Sequence, residues 1–172
     1  MGYNTAFLMI EGVSAAGAMD LFDSRFDDAD MFASPGQVVS FDVAAAGSLH
    51  PNLALGAVGN WAVFWDPSGR LSVLGFPMAV SKGRRALSYL LQDCDSRYGF
   101  EYFVDGILQR SITHQGDLIW EESGAVLLEE AGLGDPIGGL GESFVFGLME
   151  RLTRISQSDL AGAAYQMLEF LG

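Results

Sequence analysis

The chain has 172 residues, of which 49% are hydrophobic and 12% aromatic. This is about one domain's worth of sequence, and its apolar content excludes intrinsic disorder as a description of the whole chain. The 22 acidic and 9 basic residues give a net charge of −13 at pH 7. Because nucleic-acid binding needs a basic footprint, this charge argues against a general nucleic-acid binder. The single cysteine excludes a disulfide framework and a multi-cysteine metal site.

The sequence contains no recognisable targeting or membrane-spanning segment. The first basic residue is Arg25, so no charged region precedes the apolar residues at the start. The longest apolar stretch, residues 53–65, is broken by Gly and Asn and is shorter than the ~20 residues that span a bilayer. No linker, repeat or low-complexity tract divides the chain. We therefore expect one acidic domain over residues 1–172, cytoplasmic and not bound to a membrane.

Apolar or alternating runs bounded by Gly, Asp, Ser or Pro predict a strand-rich fold. Strands are predicted over residues 3–10, 37–44, 60–65, 70–74, 86–92, 97–104, 107–114, 118–120 and 126–128. Turns are predicted at residues 34–36, 66–69 and 105–106. Between the first two strands, Ser14 is placed to cap a helix. The alternation over residues 60–65 places Trp61, Val63 and Trp65 on one face of a strand.

The clearest local signal is Asp105-Gly106, between two runs with strand character. This dipeptide suits the two positive φ angles of a type I′ turn and predicts a two-residue hairpin. The register places Phe103 opposite Leu108 and Glu101 opposite Arg110. An opposite-charge pair of this kind contributes ~0.2–1 kcal/mol, which favours the register without creating the sheet.

After a glycine-rich segment over residues 132–141, the apolar period becomes helical. One stripe consists of Phe144, Leu148, Met149, Leu152 and Ile155, and a second consists of Leu160, Ala163, Ala164, Met167, Leu168 and Leu171. Ser156 or Ser158 is placed to cap the second helix. The predicted fold class is therefore α+β: an antiparallel β-meander of about six or more strands, with helices packed on one face and two C-terminal helices.

No residue pattern predicts catalysis, a cofactor or a metal. The glycine-rich segment fits neither a dinucleotide-binding nor a phosphate-binding motif. His50 and His114 have no zinc-binding spacing, and the hairpin register places His114 opposite Arg97. Cys94 lies between two aspartates, whose charges favour the neutral thiol over the reactive thiolate. We expect no catalytic residue, no cofactor and no bound metal.

Two acidic segments are candidate partner-binding surfaces. Their residues are Asp20, Asp23, Asp27, Asp28 and Asp30 in the first, and Trp120, Glu121, Glu122, Glu129 and Glu130 in the second. A strongly acidic surface steers a basic protein partner toward it, and exposed aromatic side chains anchor such interfaces. There are two alternatives. The acidic residues could serve only solubility, or their carboxylates could converge into a metal or acid–base site.

Residues 81–112, SKGRRALSYLLQDCDSRYGFEYFVDGILQRSI, resemble the centre of a group of small bacterial single-domain proteins. The residues that carry the resemblance are Gly83, Phe100, Phe103, Asp105, Gly106 and Arg110. Residues 152–160, LTRISQSDL, are similar to the last helix junction of that group. Some proteins of this kind resemble immunity proteins for secreted antibacterial toxins. The resemblance implies a cytosolic protein that binds and neutralises a toxin or effector by occlusion, and it gives no catalytic residue to carry over. The acidic charge of the chain favours a basic partner.

Two other functions stay open at this point. One is a small-molecule-binding enzyme or sensor with an aromatic pocket between sheet and helices, lined by Trp61, Trp65, Tyr98 or Tyr102. The other is a structural or regulatory subunit that self-associates through an exposed strand edge. The sequence leaves the partner, the strand order and the oligomeric state open.

Overall fold

The computed structural model describes residues 3–26, 32–46, 52–133 and 141–171. Its strands are β1 (Asn4–Glu11), β2 (Phe32–Ser40), β3 (Leu53–Val58), β4 (Trp61–Trp65), β5 (Arg85–Gln92), β6 (Arg97–Val104), β7 (Ile107–Gln115), β8 (Leu118–Gly124) and β9 (Ala164–Leu171). Its helices are α1 (Ala15–Phe26), α2 (Phe41–Ala44), α3 (Arg70–Val73), α4 (Phe76–Val80), α5 (Glu142–Thr153) and α6 (Gln157–Ala161), with 3₁₀ turns at Asp93–Asp95 and Leu128–Glu130. No helix within these ranges has both the length and the apolar character to cross a membrane.

The strands form one antiparallel sheet in the order β2-β9-β3-β4-β1-β5-β6-β7-β8. The predicted α+β class is therefore confirmed, and β5 to β8 form the expected meander. β1 lies in the middle of the sheet, paired with β4 and β5. Its side chains from Thr5 to Ile10 are all buried. When both faces of a strand are covered, its sequence is a continuous apolar run, and residues 6–10 of β1 have this pattern.

Helices cover both faces of the sheet, whereas the sequence predicted helices on one face. A first core on one face contains side chains of the sheet, α2, α5 and α6, including Phe7, Trp61, Trp65, Tyr89, Phe144, Leu148 and Tyr165. A second core on the other face contains side chains of the sheet, α1, α3 and α4, including Leu8, Phe22, Phe26, Phe64, Leu71 and Phe76. Because the central strands are apolar on both faces, each face needs its own layer of helices.

The chain ends in a strand, where the second apolar stripe predicted a helix. α6 stops at Ala161, and Ser156 caps it as predicted, with the Asp159 backbone N–H donating to Ser156 Oγ at 3.2 Å. The following residues form β9, inserted between β2 and β3. Tyr165 lies in the first core and Leu168 in the second. Apolar residues on both faces of a covered strand imitate a helical stripe, and this explains the difference.

Two segments that the sequence predicted as strands contain helical residues instead. Residues 66–69 form the expected turn, in which the Gly69 backbone N–H donates to the Asp66 carbonyl at 3.0 Å. The buried Asp66 carboxylate also accepts the Leu71 backbone N–H at 2.7 Å, and this bond starts α3 in place of the strand predicted over 70–74. The strand predicted over 37–44 ends at Ser40, after which residues 41–44 form α2.

Two further segments differ from their predictions near the sheet edges. The turn predicted at residues 34–36 lies within β2, where the register against β9 shifts between Pro35 and Val38. β2 is a terminal strand of the sheet, and such a strand tolerates a proline. Residues 126–128, predicted as a strand, instead lead into the 3₁₀ turn at Leu128–Glu130.

The Asp105-Gly106 hairpin is confirmed. The φ angles of Asp105 and Gly106 are 52° and 78°, and Phe103 pairs with Leu108 as predicted. The Asp105 carboxylate also accepts the Gly83 backbone N–H at 2.8 Å. This bond ties the hairpin to the turn that precedes β5.

Replacement of Gly56 tests the placement of the C-terminal strand. A Cβ at Gly56 would lie 2.6 Å from the Tyr165 ring and 2.8 Å from the Ala164 carbonyl oxygen. We expect Gly56→Ala to lower the free energy of unfolding by about 1–3 kcal/mol because the added methyl overpacks the β3–β9 contact. Ala57→Ser, at an exposed position of the same strand, should change it by less than about 0.5 kcal/mol. Equal effects of the two variants in urea unfolding would contradict this strand arrangement.

Candidate functional site

The last strand in the sheet order, β8, carries a run of exposed apolar side chains. All seven of its residues are exposed, and its neighbour in the sheet is β7. Leu118, Ile119 and Trp120 are 73%, 56% and 66% exposed, and Glu121 and Glu122 follow them. We name these five residues the β8 edge surface. Contiguous exposed apolar groups at an open sheet edge are typical of protein-interaction sites.

A bulge in β8 sets the position of Trp120. His114 pairs with Ile119 and Thr113 with Glu121, so Trp120 is an extra residue without a directly opposite partner. Such a bulge redirects the side chain that it carries. The Trp120 ring lies beside the Arg97 guanidinium, whose carbon is 5.5 Å from the ring centroid. This cation–π contact restrains the Trp120 indole, which stays exposed.

The buried Arg110 connects β7, β8 and the 3₁₀ turn at Leu128–Glu130. Only 1% of Arg110 is exposed. Its Nε and Nη2 donate to the two Glu130 carboxylate oxygens at 2.9 and 3.1 Å, and its Nη1 lies 2.8 Å from Glu122 Oε1. Nη1 also donates to the Gly124 carbonyl at 3.2 Å. The two-pronged bond to Glu130 fixes the direction of the guanidinium as well as its charge.

The predicted pairing of Arg110 with Glu101 is wrong. The register of β6 against β7 shifts between Tyr102 and Phe103, so Arg110 lies opposite Tyr102, and Glu101 lies opposite Ser111. One additional residue in β7 moves every later side chain of that strand to the next position. The same shift pairs His114 with Tyr98 and not with Arg97.

The structure divides the second acidic segment into exposed and internal carboxylates. The Glu130 side chain is only 8% exposed and binds both Arg110 and the Leu127 backbone N–H. Glu130 is therefore no longer a candidate for contact with a partner, because its carboxylate is held inside the protein. The Glu122 side chain is 40% exposed, although it also pairs with Arg110. Glu129 is partly buried, and its carbonyl accepts a bond from Arg151 on α5 at 2.9 Å.

The first acidic segment lies elsewhere on the molecule. Asp20 and Asp23 are exposed on α1, which packs over β3 and β4. Asp27, Asp28 and Asp30 lie outside the described residues. Five strand spacings separate β4 from β8, about 24 Å at ~4.8 Å for each. The described parts of the two acidic segments therefore do not form one surface.

The residues considered for catalysis or metal binding are dispersed. Cys94 is exposed, and burial lowers the pKa of His114. His50 and the greater part of the glycine-rich segment, residues 134–140, lie outside the described residues. Among the residues that the structure describes, no three His, Cys, Asp or Glu side chains form a group that fits a metal ion.

The predicted aromatic pocket coincides with the first core. Trp61 and Trp65 are 3% and 0% exposed and pack within that core. Tyr98 and Tyr102 pack against its margin. Their side chains therefore fill the space between the sheet and its helices, rather than line a pocket for a ligand.

A cleft that the sequence did not reveal lies on the opposite face of the sheet, beside β8. Its volume is about 290 Å³, at the lower end of the roughly 300–1,000 Å³ of small-molecule sites. Glu101 and Glu121 line it, together with Arg97 and three hydroxyl side chains of β5 and β7: Ser88, Ser111 and Thr113. Glu101 is partly buried, and burial followed by the charge of Glu121 raises the pKa of the Glu101 carboxyl.

Removal of Arg110 tests the buried ion network. We expect Arg110→Leu to lower the free energy of unfolding by about 3–5 kcal/mol, because it leaves the Glu130 carboxylate buried without a cation. The double variant Arg110→Leu, Glu130→Leu should recover most of this loss, since both buried charges are removed. Unfolding in urea measures both values. Equal destabilisation of the single and double variants would show that the charges are not the cause.

Replacement of Glu101 tests the origin of its raised pKa. The usual pKa of a Glu side chain is 4.5, and the folded protein raises it. The folded state therefore holds the proton more tightly than the unfolded state, so stability falls as pH rises from the unfolded pKa through the folded pKa. We expect Glu101→Gln to match the wild-type stability below pH 4.5, where the Glu101 carboxyl is protonated in both states. Above the raised pKa of folded Glu101, the variant should be more stable than the wild type. Thermal unfolding across pH measures the difference, and an advantage confined to low pH would contradict the assignment.

Comparison of the chain with protein-family models, curated protein sequences and solved structures finds no match. An α+β fold supports many unrelated activities and by itself implies none of them.

Proposed function

We propose that this protein binds a basic protein partner through the β8 edge surface and blocks the partner's activity by covering it. The observation that carries the proposal is the exposure of Leu118, Ile119 and Trp120 in succession on a terminal strand, directly before two glutamates. A secreted toxin or effector is the partner class that the resemblance of residues 81–112 implies, and it is part of the proposal.

Three properties of this edge suit protein binding. A terminal strand offers unpaired backbone groups, to which a partner strand can hydrogen-bond. Trp120 supplies the large, restrained aromatic side chain that dominates many interfaces, and Arg97 holds it in place. Glu121 and Glu122 add negative charge at the rim, which accelerates encounter with a basic surface.

The same charges favour a basic partner over a second copy of this chain. If two copies of β8 paired antiparallel about the middle of the strand, Glu121 would face Glu121. Like charges directly opposite on neighbouring strands are destabilising. The net charge of −13 on each copy adds long-range repulsion. A partner with lysines or arginines beside an apolar groove has neither disadvantage.

The direct test uses the product of the adjacent gene as the partner, co-expressed with this chain. We expect a one-to-one complex whose association slows as salt is raised. Trp120→Ala should weaken it by about thirtyfold or more, equivalent to about 2 kcal/mol, because an anchor side chain is lost. Ile119→Lys should also weaken it, since it places a positive charge at the edge. Binding is measured by titration calorimetry, and association rates by surface plasmon resonance.

The matched control is Val38→Lys on β2, the terminal strand at the opposite edge of the sheet. Val38 is 68% exposed, so the substitution alters charge and apolar area much as Ile119→Lys does. We expect Val38→Lys to leave binding unchanged. Failure to form a complex at low salt, or equal effects at the two edges, would contradict the proposal. A stable homodimer that Ile119→Lys dissociates, detected by light scattering, would assign the edge to self-association instead.

A further inference from the structure

The cleft beside β8 is built from cross-strand rows on the second face of the sheet. One row runs Ser88, Glu101, Ser111 and Ser123 across β5 to β8. The next runs Leu90, Gly99, Thr113 and Glu121. Gly99 leaves the floor of the second row without a side chain, and the β5–β7 members of both rows line the cleft. Helix α3 forms a wall through Ser72 and Val73.

The two buried serines that flank Glu101 differ in one respect. Both are 6% exposed. Ser88 Oγ is 2.8 Å from Ser72 Oγ, so the two hydroxyls share a hydrogen bond. Ser111 Oγ is buried and has no hydrogen-bond partner among the described residues. A buried hydroxyl without a protein partner is costly, and at the lining of a cleft it is placed to bond to a group that enters the cleft.

Glu101 also lacks a compensating partner. Glu101 takes no part in the ion pairs that Arg85 makes with Glu11 and that Arg110 makes with Glu122 and Glu130. The charged side chains that line the cleft are Glu101, Glu121 and Arg97. Arg97 lies four residues along β6 from Glu101, about 14 Å at ~3.4 Å per residue, and contacts Trp120. The Glu101 end of the cleft is therefore negative and without a cation.

From the unpartnered Ser111 hydroxyl and the uncompensated Glu101 and Glu121 carboxylates, we infer that the cleft binds a primary ammonium group. An ammonium has three N–H donors and a positive charge. The Glu101 carboxylate and Ser111 Oγ, on residues directly opposite each other, supply acceptors for two of the donors. Thr113 and Glu121 in the next row add a further acceptor and a second negative charge. The group has two possible sources: a free small amine, or the side chain of a lysine in a peptide.

The test follows backbone amide signals of the full chain by ¹⁵N NMR during titration. The probes are 1,4-diaminobutane as a free amine and Nα-acetyl-lysine methylamide as a lysine side chain. 1,4-Butanediol is the neutral control. We expect millimolar or tighter binding of at least one amine, with shifts centred on Gly99, Glu101 and Ser111, and no binding of the diol. The stronger amine identifies the source, and the diamine result does not depend on the proposed protein partner.

Substitutions place the binding in the cleft. Glu101→Gln should weaken amine binding by about tenfold or more, because the acceptor loses its negative charge. Ser111→Ala should also weaken it, because an acceptor is removed. Glu150→Gln, which removes an exposed carboxylate from α5 on the other side of the sheet, should leave it unchanged. The inference is overturned if neither amine binds, if the diol binds equally well, or if Glu150→Gln weakens binding as much as Glu101→Gln does.

Discussion

The proposed binding edge depends on the ion pairs and hydrogen bonds of the buried Arg110 guanidinium. β8 has no buried side chain of its own, so its place in the sheet rests on hydrogen bonds to β7 and on the contacts of Arg110. By binding Glu122 on β8 and Glu130 beyond it, Arg110 joins an exposed strand to the protein interior. Buried ion pairs add little net stability, but they select one arrangement because a broken pair leaves a buried charge. An edge fixed in advance loses less conformational entropy when a partner binds.

The sheet changes character along its width. In β1 both faces are buried, and each contributes to a separate core. From β5 outward the first face stays apolar through Tyr89, Phe100 and Ile112. The second face is apolar at Ala86 and Phe103 but polar around the cleft, at Ser88, Glu101 and Ser111. α3 and α4 end the second core near this point, which leaves the cleft between α3 and the meander. The two proposed binding features are therefore neighbours: the edge of β8 and the polar face beside it.

Local signals in the sequence predicted much of the fold. The Asp105-Gly106 turn, the Ser156 cap and the buried stripe of α5 each depend on residues close together in the chain. The features that failed are non-local. The bulge that turns Arg110 toward Glu130, twenty residues away, depends on strand pairing that the hairpin pattern does not contain. Likewise, β9 has apolar residues on both faces because it lies inside the sheet and packs against both cores, and no local period distinguishes that pattern from a helix. The sequence therefore singled out the Trp120–Glu130 segment as a candidate but did not show which of its carboxylates are exposed.

Amide hydrogen exchange in β8 tests most directly whether Arg110 makes this strand an ordered surface. Exchange rates report local opening strand by strand, separately from global unfolding. In Arg110→Leu, measured where the variant is still folded, we expect the β8 amides that bond to β7 to lose protection while those of β1 keep theirs. Unchanged protection of β8, or an equal loss in both strands, would contradict the account.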